Sequence, residues 1–161
     1  MSVAFRREGD EEHLEPKFEI PIPPGPNLVT ARGLALLHAR VAEIEARLAA
    51  LTDEHETKAA RRDLRYWQTR EITAELVPVP SGKTVEMGTQ VTFRLGGKTR
   101  SLGIVGDDEA DPAGGLVSFS APLSRALMRA EVGDVLEFGG KDDAIEVLGI
   151  GVVDQVGGTA G

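Results

Sequence analysis

Two clusters of carboxylate side chains offer the main possibilities for chemistry in this sequence. The first is the run Asp53-Glu54-His55-Glu56, in which Asp53 and Glu56 lie three residues apart. Carboxylate oxygens can take part in binding or catalysis, so Asp53, Glu54 and Glu56 are candidate functional acids. The same spacing occurs where an Asp caps the start of a helix and a Glu three residues later reaches back to it. Both interpretations stay open, and capping is the commoner of the two.

The second cluster, Asp107-Asp108-Glu109 with Asp111, is more typical of a solvated loop than of a metal site. An EF-hand calcium loop needs a bidentate Glu at its twelfth position, and that position is occupied here by Ser118. Calcium binding of the EF-hand type is therefore not predicted.

The residues needed for thiol chemistry, for a phosphate-binding loop and for a nucleophilic triad are missing from this sequence. Cysteine is absent, which excludes thiol catalysis, disulfides and thiolate metal sites. The run Ser81-Gly82-Lys83-Thr84 ends like a phosphate-binding loop, but Val77 stands where the first glycine of that loop is required. The three histidines, His13, His38 and His55, are spread along the chain, and no nucleophile elbow is present.

The charge and hydropathy of the chain limit its partners. The formal net charge is -8, and none of the segments 1–29, 30–76 and 77–161 is basic overall. Tight binding to nucleic acid needs clustered cations, so contact with nucleic acid is expected only indirectly, through a partner protein. No apolar run reaches the roughly 18 residues of a membrane span and no secretion signal is evident, so a cytoplasmic protein without a membrane partner is expected.

The acidic run at 53–56 lies between two predicted helices. From Thr30 onward, apolar residues recur at alternating spacings of three and four, which is the heptad pattern of a coiled-coil arm, and they are Leu34, Leu37, Val41, Ile44, Leu48 and Leu51. A second, poorer series follows through Ala60, Leu64, Trp67, Glu71 and Ala74. We predict an antiparallel coiled-coil hairpin over 28–76, with arms of about 21 residues and roughly 30 Å. Before it, residues 1–27 are predicted to be a charged, proline-rich, extended leader in which Phe18, Ile20 and Ile22 could lie as an edge strand.

The second acidic cluster lies in a predicted α+β domain over 77–152. Short β-type runs occur at 91–95, 99–105, 116–120, 135–138 and 144–150, and Gly96-Gly97 fits a two-residue hairpin turn. One short helix is predicted from Pro122, which suits the first turn of a helix. An antiparallel sheet with one packed helix is therefore expected, followed by a flexible tail over 153–161.

A string of motifs in this domain resembles the C-terminal domain of the GreA/GreB transcription elongation factors. The family pattern runs IVGxDEAD, a short G-x-I/L-S strand, S-P-I/L-A/G-R/K-A-L/I and a V-G-D turn. The matching segments here are Ile104–Pro112, Gly115–Ser118, Ala121–Leu127 and Val132–Val135. Val29-Thr30 with Gly33-Leu34 also resembles the T-x-x-G-L start of the family's first arm. The resemblance covers about residues 28–150.

The resemblance implies an FKBP-like C-terminal domain that binds the rim of the secondary channel of RNA polymerase. The coiled coil would enter the channel, and its tip acids, Asp53 and Glu56 above all, would help hold a second Mg²⁺ of the polymerase for cleavage of backtracked transcripts. The chain would bind no cofactor alone and would not itself be an enzyme. The implied docking residues are Asp107, Glu109, Asp111, Ser120, Pro122, Leu123, Arg125 and Arg129.

Three alternatives accompany this prediction. The family's tip string, close to G-D-L-S-E-N-A-E-Y, is missing and the arms are shorter, which favours a regulator of the Rnk kind that binds polymerase without stimulating cleavage. A prolyl isomerase of the FKBP type would need an aromatic-lined cleft, and 77–161 contains only Phe93, Phe119 and Phe138. A coiled-coil assembly module would be a dimer, whereas an intramolecular hairpin predicts a monomer.

Overall fold

The computed structural model describes residues 19–154, which form two compact units. One unit comprises Leu37–Thr73 with the described residues up to Gly25, and the other comprises Pro26–Leu36 with the described residues from Ala74 onward. Most of the predicted leader and most of the predicted tail lie outside the described residues. Residues 19–27, the described part of the leader, contain no helix or strand, so Ile20 and Ile22 do not form an edge strand.

Two helices of equal length form the predicted hairpin. Helix α1 spans Ala31–Ala50 and helix α2 spans Glu54–Thr73, so each is roughly 30 Å long at about 1.5 Å per residue. The acidic run predicted to interrupt the two helices lies mainly inside the first turn of α2, because the connection is only the three residues 51–53.

Contacts between the arms show that they run antiparallel. His38 Nδ1 lies 2.6 Å from Glu71 Oε2, and Arg47 Nη2 lies 3.7 Å from Asp63 Oδ2, so partners descend along α2 as they ascend along α1. The buried apolar side chains of the two arms belong to the predicted heptad series, namely Leu37, Val41, Ile44 and Ala60, and Arg70 of α2 is buried as well. Glu71, which weakens the second apolar series, is half-buried and its carboxylate is paired with His38.

The second unit contains a two-stranded parallel sheet that is separate from its five-stranded sheet. Strand β1 is Leu28–Val29 and β2 is Glu75–Leu76, with Leu28 paired to Glu75 and Val29 to Leu76. Backbone bonds from Glu75 N–H to Asn27 O (2.8 Å) and from Val77 N–H to Val29 O (2.9 Å) extend this pairing. These short strands flank the hairpin helices in the sequence.

The larger sheet has five strands in the order β5-β4-β3-β7-β6. They are β3 (Thr89–Leu95), β4 (Lys98–Val105), β5 (Leu116–Ser118), β6 (Val135–Phe138) and β7 (Lys141–Val152). Gly96 and Gly97 connect β3 to β4 with φ of 60° and 79°, a left-handed pair that glycine adopts without strain. The α+β class is confirmed, but the sheet is mixed because β5 pairs parallel to β4.

One face of this sheet carries the core. Alternate residues of β3, Val91 and Phe93, are fully buried, and their neighbours from β4 and β7 complete the cluster with Leu127 of helix α3 (Pro122–Leu127). The short helix is therefore packed on the sheet as predicted. In residues 19–154, no helix is long and apolar enough to cross a membrane.

Candidate functional site

The loop after β4 places one acidic side chain against the segment that leads into α3. Asp107 Oδ1 accepts hydrogen bonds from Ser118 Oγ at 2.5 Å and Ser120 Oγ at 3.2 Å. The two serine hydroxyls lie 2.8 Å apart, and the Ser120 N–H donates to Ser118 Oγ at 3.1 Å. Asp107 therefore fixes the backbone immediately before the helix, and the structure brings two of the predicted docking residues, Asp107 and Ser120, together.

Helix α3 buries Ser124 together with Leu127, and its other polar residue, Arg125, is exposed. Pro122 occupies the first turn, where its missing N–H leaves no helical hydrogen bond unmade, and the Arg125 N–H closes the first turn on Ala121 O at 3.0 Å. Leu127 is fully buried and Leu123 is half-buried against the core. The exposed members of the predicted docking set on this segment are Ser120, Pro122, Arg125 and Arg129.

Arg129 lies just beyond the helix in a left-handed conformation with φ of 72°. A non-glycine residue adopts this conformation at a cost, and here its N–H donates to Val85 O at 2.7 Å while the Val85 N–H donates to Ala130 O at 2.9 Å. This pair of bonds holds the chain just after the helix has ended at Leu127, and the Arg129 side chain is exposed, as is that of Arg125.

Glu109 occupies a different position from the one predicted. Its side chain is only 1% exposed, and both carboxylate oxygens accept bonds from the start of α1. Thr30 Oγ1 donates to Oε1 at 2.6 Å, and Arg32 Nη1 donates to Oε2 at 2.9 Å. Predicted as a docking residue, Glu109 is thus an internal partner of Thr30 and Arg32, because the loop turns its side chain toward the domain.

Gly33 leaves the space that this carboxylate occupies beside the helix. A Cβ at position 33 would lie 2.8 Å from Glu109 Oε1, closer than real contacts of this kind. The Gly33 N–H donates to Thr30 Oγ1 at 3.0 Å, so Thr30 caps the helix and donates to Glu109 at once. Glycine is needed here because the carboxylate occupies the space of a side chain.

Asp111 ends the acidic loop and is exposed. Its backbone N–H donates to Leu116 O at 2.8 Å and its carbonyl accepts from the Leu116 N–H at 3.0 Å, which closes the short helical turn Pro112–Gly114 against β5. Its side chain therefore stays accessible to a partner, whereas its backbone holds the loop.

The tip acids lie around the start of α2. The Glu56 N–H donates to Asp53 Oδ2 at 2.9 Å and the Thr57 N–H donates to Asp53 O at 2.9 Å, so the capping interpretation of Asp53 is confirmed. Glu54 Oε2 lies 3.8 Å from Lys58 Nζ, and both Glu54 and Glu56 are exposed. Among residues 19–154, no three His, Cys, Asp or Glu side chains are grouped so that they could hold a metal ion by themselves.

The aromatic residues of the sheet domain belong to its core. Phe93 is fully buried, and Phe119 and Phe138 are half-buried against the same cluster. A cavity of about 570 Å³ at the turns of the sheet includes Phe138, but its other lining residues are mainly charged or glycine, among them Arg94, Lys141 and Glu146. This lining differs from the aromatic cleft that a prolyl isomerase needs.

Three residues of this region were not predicted as functional from the sequence. Thr30 and Arg32 hold Glu109, and Ser118 holds Asp107. Thr30 stands in the T-x-x-G-L pattern, and that pattern is the sequence signal that could have indicated it. Arg32 has no such signal.

Comparison with known proteins relates this surface to a family. Residues 80–151 match the family described as "Transcription elongation factor, GreA/GreB, C-term". The GreA of Maricaulis maris is 43% identical over 60 residues, which cover 35% of this chain and 38% of that protein. The GreA of Rhizobium etli is 29% identical over 127 residues, which cover 76% of this chain and 80% of that protein. The match to the Maricaulis maris protein, like the matches to five other GreA proteins of 36–44% identity, spans less than half of the relative's length.

Comparison with solved structures gives matches with TM-scores below 0.5. The Gfh1 protein of Thermus thermophilus is 19% identical, with a TM-score of 0.37 over 78% of this chain and 99% of that one. The GreA/GreB factor of Nitrosomonas europaea is 20% identical, with a TM-score of 0.38 over 80% of this chain and 99% of that one.

Proposed function

Residues 80–151 match the C-terminal domain of the GreA/GreB family, and we propose that this chain belongs to that family and is a transcription elongation factor that binds RNA polymerase. The observation that carries the proposal is the family match itself, since it includes the whole surface formed by Asp107, the serines and α3. The two GreA relatives described above are named transcription elongation factors.

Docking would use the exposed polar side chains at the start of α3. Arg125 is exposed on the outer side of the helix, where its guanidinium can form charge-assisted, bidentate bonds with carboxylates of a partner. Pro122 and Leu123 would supply apolar contact beside it, with Ser120, Asp111 and Arg129 at the margin. Nucleic acid would be contacted only as part of the elongation complex.

In the first version of this function, the hairpin is directed into the secondary channel of the polymerase and promotes cleavage of backtracked transcripts. Asp53, Glu54 and Glu56 would supply carboxylate oxygens there, and the polymerase would supply the remaining ligands and the nuclease site. These oxygens would help hold a Mg²⁺ ion, whose chemistry would be to activate water for attack on the phosphodiester. Capping uses Asp53 Oδ2 as an acceptor, but a carboxylate has further lone pairs, so these residues fit a metal contact.

In the second version, the chain binds polymerase without stimulating cleavage. Two observations favour it, because Asp53 is engaged as a helix cap and the arms contain only 20 residues each. Arms of roughly 30 Å limit how far the tip acids can reach from a docked domain. The protein would then compete for the channel with other factors.

A transcript-cleavage assay separates the two versions. Stalled, backtracked complexes of a purified bacterial RNA polymerase are incubated with the protein, and shortening of the labelled transcript is followed with time. The matched variant Asp53→Asn with Glu56→Gln keeps a good capping residue while removing both charges. Glu45→Gln, an exposed neutralisation on α1, serves as the control.

Acceleration that the tip variant loses and the control keeps supports the first version. Absence of acceleration, together with competition against an active cleavage factor, supports the second. Absence of both effects contradicts the proposal as a whole.

A further inference from the structure

The buried carboxylate of Glu109 links the docking loop to the first turn of α1, and we infer that Glu109 is a positioning residue for the polymerase-docking surface. This inference rests on the proposed function. It reassigns an acidic residue of the loop from contact with the partner to orientation of the residues that make contact.

The contacts of Glu109 are specific for a carboxylate. Its two oxygens accept from two different donors, the Thr30 hydroxyl at 2.6 Å and the Arg32 guanidinium at 2.9 Å. A buried carboxylate is tolerated only when it is paired and hydrogen-bonded, and here both conditions are met. An amide in this place would direct its NH₂ group at one of the two donors.

The loop backbone transmits this anchoring to Asp107. Residues 106–110 form a tight turn in which the N–H groups of Glu109 (3.2 Å) and Ala110 (3.1 Å) both donate to Gly106 O. Gly106 lies against β1 so closely that a Cβ there would be 2.5 Å from Leu28 O. The turn therefore has little freedom to shift while Glu109 stays bonded.

Asp107 and Glu109 are two residues apart in this turn and bind opposite neighbours. Glu109 binds the start of α1, and Asp107 binds Ser118 and Ser120 before α3. Releasing Glu109 would let the turn move and would weaken the bonds of Asp107, although Glu109 itself, at 1% exposure, offers no surface to the polymerase.

Binding to purified core RNA polymerase tests this inference through a double-mutant cycle. Glu109→Gln is expected to weaken binding about tenfold, Arg32→Gln by a smaller factor, and the double variant no more than Glu109→Gln alone, because both single changes remove the same Arg32–Glu109 pair. Glu137→Gln is the matched control, an exposed neutralisation on β6 at the opposite sheet edge from β5. It should bind within twofold of the wild type.

Amide NMR of the free protein gives a readout that general destabilisation would not produce. Glu109→Gln should shift the resonances of Gly33 and Ser120, whose N–H groups donate to Thr30 and Ser118, and should leave those of buried Val91 and Ile145 unchanged. Unchanged polymerase affinity, or an unchanged Ser120 resonance, overturns the inference. Failure of the wild type to bind overturns the proposed function, and the docking role of Glu109 with it, whatever the spectra show.

Discussion

Substitution of Gly33 by alanine should destabilise the sheet domain, although the same change in an ordinary helix is stabilising. Alanine in place of glycine inside a helix normally adds about 1 kcal/mol of stability. Here the new methyl group would lie 2.8 Å from Glu109 Oε1 and 3.4 Å from Thr30 Oγ1. The carboxylate is buried and bonded on both oxygens, so it has no free position to which it can move.

The magnitude follows from what the methyl group displaces. Hydrogen bonds to a charged group contribute about 1.5–3 kcal/mol, and a buried carboxylate left partly unpaired loses more. Set against a helix-propensity gain of about 1 kcal/mol, the net effect of Gly33→Ala should be a loss of about 1–2 kcal/mol. Ala35→Gly, at an exposed site two residues further along α1, measures the propensity term separately.

The assay is urea unfolding followed by the amide resonances of Val91 and Ile104, which report on the core of the sheet. The decisive comparison repeats Gly33→Ala in a Glu109→Ala background, where the obstructing carboxylate is gone. There the substitution should become stabilising by about 1 kcal/mol. If Gly33→Ala stabilises the wild-type protein, the carboxylate is not fixed against the helix and the reasoning is refuted.

Three further predictions concern single contacts. Asp53→Ala should destabilise the hairpin by about 1 kcal/mol through loss of the cap on the Glu56 N–H, measured by urea unfolding with Trp fluorescence, whereas Asp53→Asn should not. Ser124→Ala should leave stability unchanged or raise it by about 1 kcal/mol, because the buried hydroxyl has no hydrogen-bond partner among the described atoms; a loss in NMR-detected urea unfolding would show a missed partner. The hydrogen bond from Arg65 lowers the pKa of Glu19 below its usual value. The contribution of this ion pair to stability is therefore present at neutral pH and is lost as the pH falls through the lowered pKa of Glu19. Carboxyl NMR titration should return the Glu19 pKa to its ordinary range in Arg65→Gln, and an unchanged value would contradict the pairing.

The hairpin could be predicted from the sequence because its signal is local. A helical repeat of apolar residues defines one face, and Leu37, Val41 and Ile44 are buried on that face as the spacing indicates. The Gly96-Gly97 turn was likewise predicted, since only a pair of residues that accept positive φ closes such a short hairpin.

Strand pairing beyond neighbours in sequence was harder to predict. Strand β5 contains three residues, and nothing in so short a run indicates whether it pairs parallel or antiparallel to β4. The pairing of β1 with β2 joins two strands of two residues each, too short for any alternation of apolar and polar residues to be visible.

In the candidate site, too, the local features could be predicted from the sequence and the long-range contacts could not. Exposure of Pro122 and Arg125 follows from a short amphipathic helix and from the family pattern. The inward direction of Glu109 does not, because four of the five residues 107–111 are acidic and their partners Thr30 and Arg32 lie 79 and 77 residues away in sequence. Only the folded chain shows which carboxylate is buried.

Binding to purified core RNA polymerase, measured by fluorescence anisotropy of the labelled full-length chain, tests the central claim most directly. We expect saturable binding that Arg125→Ala weakens at least tenfold while the exposed control Glu137→Gln leaves it unchanged, since loss of a bidentate charge-assisted contact removes about 1.4 kcal/mol or more. Absence of saturable binding by the wild-type protein, or binding that Arg125→Ala does not alter, would contradict docking through α3.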